Sequence, residues 1–406
     1  MTKVFLVTKL TTTNIGNQAL SHEIIDLFKN KVGEKNLIVA GRPLGLSIFD
    51  FEEIKKSKEP VKLFEKWADI AFRKYQKSSK KIIFQSIIKG VKLNTSESSE
   101  LKYDSIKSLL RPLKRKLSKL AIYESVYENR LNQINSSDLL VYSGAGEVGD
   151  TNVFLRQLLE IRIAQKLGKR TAAVNQSVVV KTSVYEKLLL HVYGKMEKVV
   201  VRGQISIDLL IKCGINPAIL SLAPDTAILT KVPSLRKTNN KLVGINFTKG
   251  IKYDVKTVKK VIDHVKSFGN ELIFITNEPI GDKKIEMELL EEFGIKGFPL
   301  INSYIDYAER LSEFKYIIST RLHTNILALS VNVPVIPIEG NIFKTTELLS
   351  QLKYPINVVN AYKENWEEVL IDEISKLENN EYNLNDYIND VLPQMKEDVK
   401  KNASWF

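Results

Sequence analysis

The stretch "YIISTRLHTNILALSVNVPVIPIEG", residues 316–340, decides the fold. It opens on an apolar strand, "YIIS". A helical pattern follows over 321–330, and a second apolar run, "VPVIPI", closes the unit. Two strands joined through a helix pair in parallel, because a parallel pair needs a long crossover. A parallel sheet must then be covered on both faces. The turn between strand and helix carries Arg321 and His323, one of four histidines in 406 residues.

The same rhythm runs outward from this unit. Upstream lie strand "LVGINFT", helix 254–268, strand "ELIFIT" and helices 282–294 and 304–313. A polar stretch, "KVPSLRKTNNK" (231–241), suits a linker. Before it come "DLLVYSGAGEVGD" (138–150), helix "VFLRQLLEIRIAQKLG", strand "RTAAVN", a helix around "VYEKLLLHVYGKM", strand "KVVVR", helix "ISIDLLIKCG" and "AILSLAPD". The chain opens on strand "KVFLVT", helix "ALSHEIIDLFKN" and strand "NLIVA". The pattern predicts an α/β protein with two Rossmann-like domains facing a cleft. The first spans 1–230 and the second 241–362. Residues 50–130 lose the alternation and read as a helical insertion in the first domain. Helices within 363–406 are expected to pack back on that domain.

The formal net charge is +13, and residues 51–130 hold 20 Lys and Arg against 10 Asp and Glu. A basic segment can face nucleic acid, an anionic membrane or an anionic substrate, or be a solvated helical face. Nucleic acid is the poorest of these, since no interleaved aromatic platform or known motif accompanies the charge. The apolar run near the N-terminus is about five residues, too short for a signal peptide. No run approaches the roughly 20 apolar residues of a membrane helix. One cysteine, Cys213, excludes an internal disulfide. The cytosol is the simplest address, with peripheral contact at the inner face of a membrane through 50–130 as an addition.

Ligands of open parallel sheets bind beyond the carboxyl ends of the strands, so chemistry is expected on loops that follow strands. After 316–319, a helix N-terminus attracts anions, and Ser319 or Thr320 can cap it. Arg321 adds a fork of donors, and His323 adds an imidazole, a side chain suited to proton transfer. An anion clamp beside a proton donor is a reacting combination. The plainer alternative is a structural salt bridge and a histidine satisfied between domains. In "SGAGEVGD" (143–150), Gly144 and Gly146 let a ligand approach the backbone, while Glu147 and Asp150 suit hydroxyls or a base. A tight strand–helix turn explains the same residues. "TTTNIGNQAL" (11–20) sets Gly16 between Asn14 and Asn17, for a sugar or diphosphate, or simply as turn and cap residues. Arg202 ends the strand "KVVVR" and, with Arg321, can clamp a doubly anionic ligand from opposite domains. Asp225 in "LAPDTA" orients a basic side chain or shapes the linker. Lys344 follows the last strand of the second domain on the cleft side. His22, His191 and His264 sit in helical patterns with no chemistry attached. No HxH, HExxH or DxD occurs, so no metal site is expected, and Cys213 reads as a buried helix residue.

"NIGNQAL", "SGAGEVGD", "VVVRGQISIDLLIKCGI", "LAPDTAIL" and "STRLHTNILALSVNVPVIPIEGNIFK" occur in this order. Together they resemble the polysaccharide pyruvyl transferase family over most of 1–30 and 138–350. The resemblance implies a fold like that of GT-B glycosyltransferases and no metal or other cofactor. It implies phosphoenolpyruvate as donor, a glycan or lipid-linked sugar as acceptor, and a pyruvate ketal as product. It assigns Arg202 and Arg321 to the donor and His323 to proton transfer, so Arg321 and His323 form the expected catalytic pair; Lys344, by its place on the cleft side, is expected to join the donor set. Asn14, Gly16, Asn17, Gly144, Gly146, Glu147 and Asp150 fall to the acceptor. Two features depart from the family pattern. Gly203 and Gln204 follow the arginine where an acidic residue is usual, and the glycine run is thinner. A glycosyltransferase with a nucleotide-sugar donor is the alternative, with Glu339 in "PIEG" available for a ribose. A non-catalytic glycan-binding relative is a third reading.

Overall fold

The computed structural model describes residues 1–10, 12–42, 51–73, 127–144, 148–248, 255–299, 301–340 and 343–406. The first sheet contains β1 (Val4–Val7), β2 (Leu37–Ala40), β3 (Leu139–Ser143), β5 (Arg170–Gln176), β7 (Lys198–Val201) and β8 (Leu220–Leu222). Their order is β2-β1-β3-β5-β7-β8, and every pairing is parallel. A short parallel pair, β4 (Val148–Gly149) with β6 (Val178–Val179), lies beside it. The second sheet contains β9 (Asn239–Asn246), β10 (Glu271–Phe274), β11 (Phe314–Ser319) and β12 (Val335–Pro337), in the order β10-β9-β11-β12, again parallel.

Burial on both faces explains the runs of Val, Ile and Leu. In the first sheet Phe5, Val7, Leu140, Tyr142, Val199 and Val201 face one way. They meet α5 (Asn152–Lys166), α6 (Ser183–Tyr193), α7 (Gln204–Lys212) and helix α3 (60–73). Val4, Leu6, Leu139, Val141, Ala172 and Val200 face the other way, against the later turns of α1 (Ile15–Val32). The first turns of α1 belong to a different core. Ile15, Ala19 and Leu20 pack with Leu242, Ile317 and Val335 of the second sheet, beside α10 (Tyr304–Leu311) and α11 (Leu322–Ser330). One helix therefore joins the two domains. The opposite face of the second sheet packs on α8 (Val255–Ser267) and α9 (Pro279–Phe293).

The described ends of the insertion are helical: α2 (Phe51–Lys56), α3, and α4 (127–135). Arg130 of α4 donates to buried Glu160, which also accepts from the Tyr142 hydroxyl. Glu65 of α3 accepts from Arg162 of α5 and pairs with Lys166. Most of the basic stretch expected to meet a membrane, 74–126, lies outside the described residues.

The C-terminal helices divide. Helix α13 (Trp366–Glu378) packs Trp366, Leu370 and Ile374 on the second sheet. Residues 384–399 pack beside α11 and the first turns of α1, through Tyr387, Leu392, Met395 and Val399. Ala403 and Phe406 then reach the first domain, where Phe406 stacks on Phe28.

Strand order fixes where a ligand can sit. In the first sheet the chain moves from β1 to one side and then returns to the other at β3. In the second sheet the corresponding reversal lies between β9 and β11. Crevices open at these reversals, and the loop after β1 meets the loop after β11.

Candidate active site in the interdomain cleft

A cleft of about 470 Å³ lies where these loops converge, lined by residues of both domains. Lys9, Asn14 and Asn17 come from the segment after β1, and Arg202 from the end of β7. Thr248 follows β9. Asn277 and Glu278 follow β10. Thr320, Arg321 and His323 follow β11, and Gly340 and Lys344 follow β12.

At its floor is a buried ion cluster. Arg202 is 2% exposed and Asp225 fully buried. Arg202 donates Nε and Nη2 to Ser177 Oγ at 3.1 and 2.9 Å, and Nη1 to Asp225 Oδ2. The other Asp225 oxygen accepts from Ala227 N at 2.9 Å. Burial alone raises a carboxyl, but the Arg202 guanidinium and the adjacent His323 outweigh it and hold Asp225 well below the usual range. His323 Nε2 lies 3.8 Å from Asp225 Oδ2, too far for a hydrogen bond, and is buried without a hydrogen-bond partner. Asp225, read from sequence as orienting a basic side chain or shaping the linker, thus sits between two basic groups.

The imidazole is held from the other domain by an absence of side chain. A Cβ added at Gly16 would lie 2.1 Å from His323 Cβ and 2.5 Å from Nδ1. Asn14 caps α1 by accepting from Asn17 N at 3.0 Å. It also crosses the cleft, donating to Glu278 Oε2 at 3.2 Å and accepting from Asn277 Nδ2 at 3.1 Å. Ile15 N donates to Asn277 O at 3.0 Å. Gly16 is therefore the seat of His323, and Asn14 is both cap and cross-domain strut.

Arg321 faces two carboxylates that the sequence did not signal. Its Nε donates to Asp282 Oδ2 at 2.9 Å, Nη2 donates to Asp282 Oδ1, and Nη1 donates to Glu278 Oε2 at 2.7 Å. Three of its five N–H donors are thereby engaged. Asp282 lies one turn into α9, and only a helix that starts at Pro279 brings it under Arg321. The expected cap of α11 by Ser319 or Thr320 is corrected: Arg321 occupies the N-cap position and no side chain caps the helix. Ser319 Oγ instead accepts from Arg321 N at 3.0 Å, and Thr320 Oγ1 donates to Asn246 Oδ1 at 3.1 Å, which fixes the turn.

Lys344 opens α12 (Lys344–Gln351) and is partly buried. Burial and the neighbouring Arg202 charge pull its ammonium below the usual range, against Glu339 and Glu347. Glu339 does not line the cleft. Its Oε2 accepts from Thr346 N and Oγ1 at 2.8 and 2.9 Å, binding it to the start of α12.

The glycine loop after β3 is placed differently. A Cβ at Gly144 would lie 2.5 Å from Gln176 Oε1, so Gly144 makes room for that amide. Asp150 Oδ1 accepts from Lys181 N at 3.2 Å and does not line the cleft. Gly146 and Glu147 lie outside the described residues. The remaining histidines have local partners: His22 stacks on Tyr304, His191 pairs with Glu65, and His264 hydrogen-bonds Ser375. Cys213 ends α7, its thiol pushed up by burial. Among the described residues no group of three His, Cys, Asp or Glu forms a metal site, and no helix is long and apolar enough to cross a membrane.

A family model described as polysaccharide pyruvyl transferase matches residues 14–341. A comparison with curated proteins gave no match. Among solved structures, a putative UDP-N-acetylglucosamine 2-epimerase from Listeria monocytogenes superposes with a TM-score of 0.50 at 12% identity, over 99% of this chain and 94% of that one. HepE from Anabaena, in complex with UDP and glucose, gives a TM-score of 0.49 at 11% identity, over 98% and 95%. The first likeness agrees with the strand order: two Rossmann-like domains face a cleft in a GT-B-like arrangement.

Proposed function

We propose that this chain, which belongs to the polysaccharide pyruvyl transferase family, moves the pyruvyl group of phosphoenolpyruvate onto two hydroxyls of a sugar. The acceptor is a cell-surface polysaccharide or its lipid-linked precursor, and the product is a pyruvate ketal. The observation that carries the reading is the cleft wall where Arg202, Asp225 and His323 form one cluster, with Lys344 close enough to feel the Arg202 charge.

The chemistry asks for three things. The donor is anionic at its carboxylate and its phosphate, so cations must converge on it from both sides. Arg202 and Lys344 do so from opposite domains, and Arg321 adds its remaining donors. The methylene carbon of the donor must gain a proton while a sugar oxygen bonds to the adjacent carbon. With Nε2 turned to Asp225, Nδ1 of His323 is the nitrogen that handles this proton. Phosphate then leaves with the electrons of its carbon–oxygen bond, and the second sugar oxygen takes its place. One hydroxyl proton ends on the new methyl group and the other on phosphate. Asn14 and Glu278, which also line the cleft, suit a neutral diol. A nucleotide-sugar donor is less well served, since Glu339 is committed to α12.

The test is thermal stabilisation by phosphoenolpyruvate, UDP and GDP, with phosphate release from a sugar acceptor as second readout. A ligand at 100 times its dissociation constant adds about 2.7 kcal/mol. We expect phosphoenolpyruvate alone to stabilise the wild type. Lys344→Met should remove that effect, whereas His323→Ala should keep it and lose phosphate release. Stabilisation by a nucleotide alone would replace this reading with the glycosyltransferase one.

A further inference from the structure

Helix α7 begins immediately after Arg202, and its start is unusual. The N-cap residue is Gly203, which offers no side-chain hydrogen bond. Helix starts leave N–H groups without partners, and a polar N-cap side chain normally meets the third one. Here that N–H belongs to Ser206, and it donates to Glu347 Oε1 at 2.6 Å in a buried contact. Glu347 lies on α12, in the other domain. It is 3% exposed, and its Oε2 is buried with no hydrogen-bond partner. The space is already filled: a Cβ at Gly203 would fall 1.9 Å from Glu347 Cγ and 2.7 Å from Cδ. Backbone strain is not the reason for the glycine, since its φ of −174° is extended and open to any residue. The glycine is there because a carboxylate from across the cleft occupies its side-chain position.

We infer that Glu347 is a positioning residue which caps α7 from the opposite domain and thereby sets the spacing between Arg202 and Lys344. Arg202 lies one residue before the cap position. Lys344 lies one turn before Glu347 on the same helix. A carboxylate at the helix start is favoured by the helix dipole as well as by the hydrogen bond, so the joint holds both cations against one ligand. The inference rests on the proposed role of Arg202 and Lys344 toward the donor.

The experiment pairs hydrogen exchange with ligand binding, in the full chain. In Glu347→Ala, the Ser206 amide should exchange about 10-fold faster, as expected when a charge-assisted bond is lost. Phosphoenolpyruvate should bind about 10-fold more weakly, with KM raised more than kcat is lowered. Adding Gly203→Asp to the Glu347→Ala variant returns a cap to the helix itself, with the new Cβ meeting the Glu347 backbone oxygen at 3.1 Å, which must give by a few tenths of an ångström. The double variant should regain the protection of Ser206 and a large part of the affinity, which a general packing defect would not allow. Glu347→Gln, which keeps the shape and one acceptor, should lie between wild type and alanine. Unchanged exchange at Ser206 in Glu347→Ala overturns the joint. Faster exchange with unchanged affinity overturns the positioning role. If the wild type binds no phosphoenolpyruvate, the proposed donor is wrong and so is the positioning claim built on it, while the exchange data still decide the cap.

Discussion

One methyl group at Gly16 probes the junction on which the cleft depends. A Cβ there would stand 2.1 Å from His323 Cβ. Non-bonded carbons sit about 3.5–4.0 Å apart, so the starts of α1 and α11 must part by more than roughly 1 Å. The same ground carries Ile15 N to Asn277 O at 3.0 Å and the two Asn14 bonds at 3.1 and 3.2 Å. Gly16 has no positive φ, so alanine meets no backbone penalty there. Inside a helix alanine is even favoured over glycine by about 1 kcal/mol. Any loss is therefore steric. Overpacking of this kind costs about 1–3 kcal/mol, and each loosened hydrogen bond adds about 0.5–1.5 kcal/mol. We expect Gly16→Ala to lose about 1–3 kcal/mol net, read as a lower urea midpoint or melting temperature. The nearest atom is His323 Cβ, so His323→Ala removes the Cγ and Nδ1 contacts at 2.3 and 2.5 Å but leaves the Cβ one, while His323→Gly removes all three. A double-mutant cycle should thus show a partial coupling with alanine at 323 and a larger one, more than about 1 kcal/mol, with glycine. Wild-type stability in Gly16→Ala, or full rescue by His323→Ala, refutes this account of the junction.

Two further outcomes follow from buried charge. Asp225→Asn strands the Arg202 guanidinium in the interior and should cost about 3–5 kcal/mol at pH 7, with Arg202→Met/Asp225→Asn costing less than the sum of the single changes. The folded carboxyl of Asp225 lies below its unfolded value. Its contribution is therefore present above the unfolded pKa and lost as pH falls through the folded one, which urea unfolding below pH 4 should show for wild type and not for the variant. Glu23 has the opposite sign. Burial and the neighbouring Asp26 push it up to about 7 from 4.5, so its stabilisation is full below pH 4.5 and gone above 7. Glu23→Gln should flatten the stability profile in that window and be more stable than wild type at pH 8 by about 1–2 kcal/mol.

Much of this arrangement is legible in the chain because ligands of parallel sheets gather at one end of the strands. Arg202, Arg321, His323, Lys344 and Asn14 each follow an apolar run in the sequence, and all five line one cleft. The strands themselves are legible because burial on both faces leaves nearly unbroken Val, Ile and Leu. What escapes is whatever depends on contact between distant segments. Nothing near Gly16 signals that an imidazole more than 300 residues away will fill its side-chain space. Asp282 and Glu278 carry no signal in the sequence, and they meet Arg321 because α9 starts at Pro279. Gly203 looked like a loss, because the carboxylate that serves it lies in another domain. Asp150 and Gly144 fell in a suggestive motif, yet their partners are Lys181 and Gln176. The start of α11 escapes too, because the hydroxyls of Ser319 and Thr320 have partners on either side of the turn.

The course of the chain after α13 has a mechanical consequence. The polypeptide passes between domains once before β9 and again after Val399, and its last residues pack beside Phe28. Two tethers leave the halves one easy movement, rotation about the line that joins them, and they oppose sliding and unscrewing. Nor can the protein be divided by a single cut. A piece ending at 230 would lack the wall supplied by Ala403 and Phe406, and a piece starting at 241 would lose Ile15, Ala19 and Leu20 from the core they share with Ile317 and Val335. The two lobes are woven, so an engineer who wishes to exchange one of them must carry the far end of the chain along with the first.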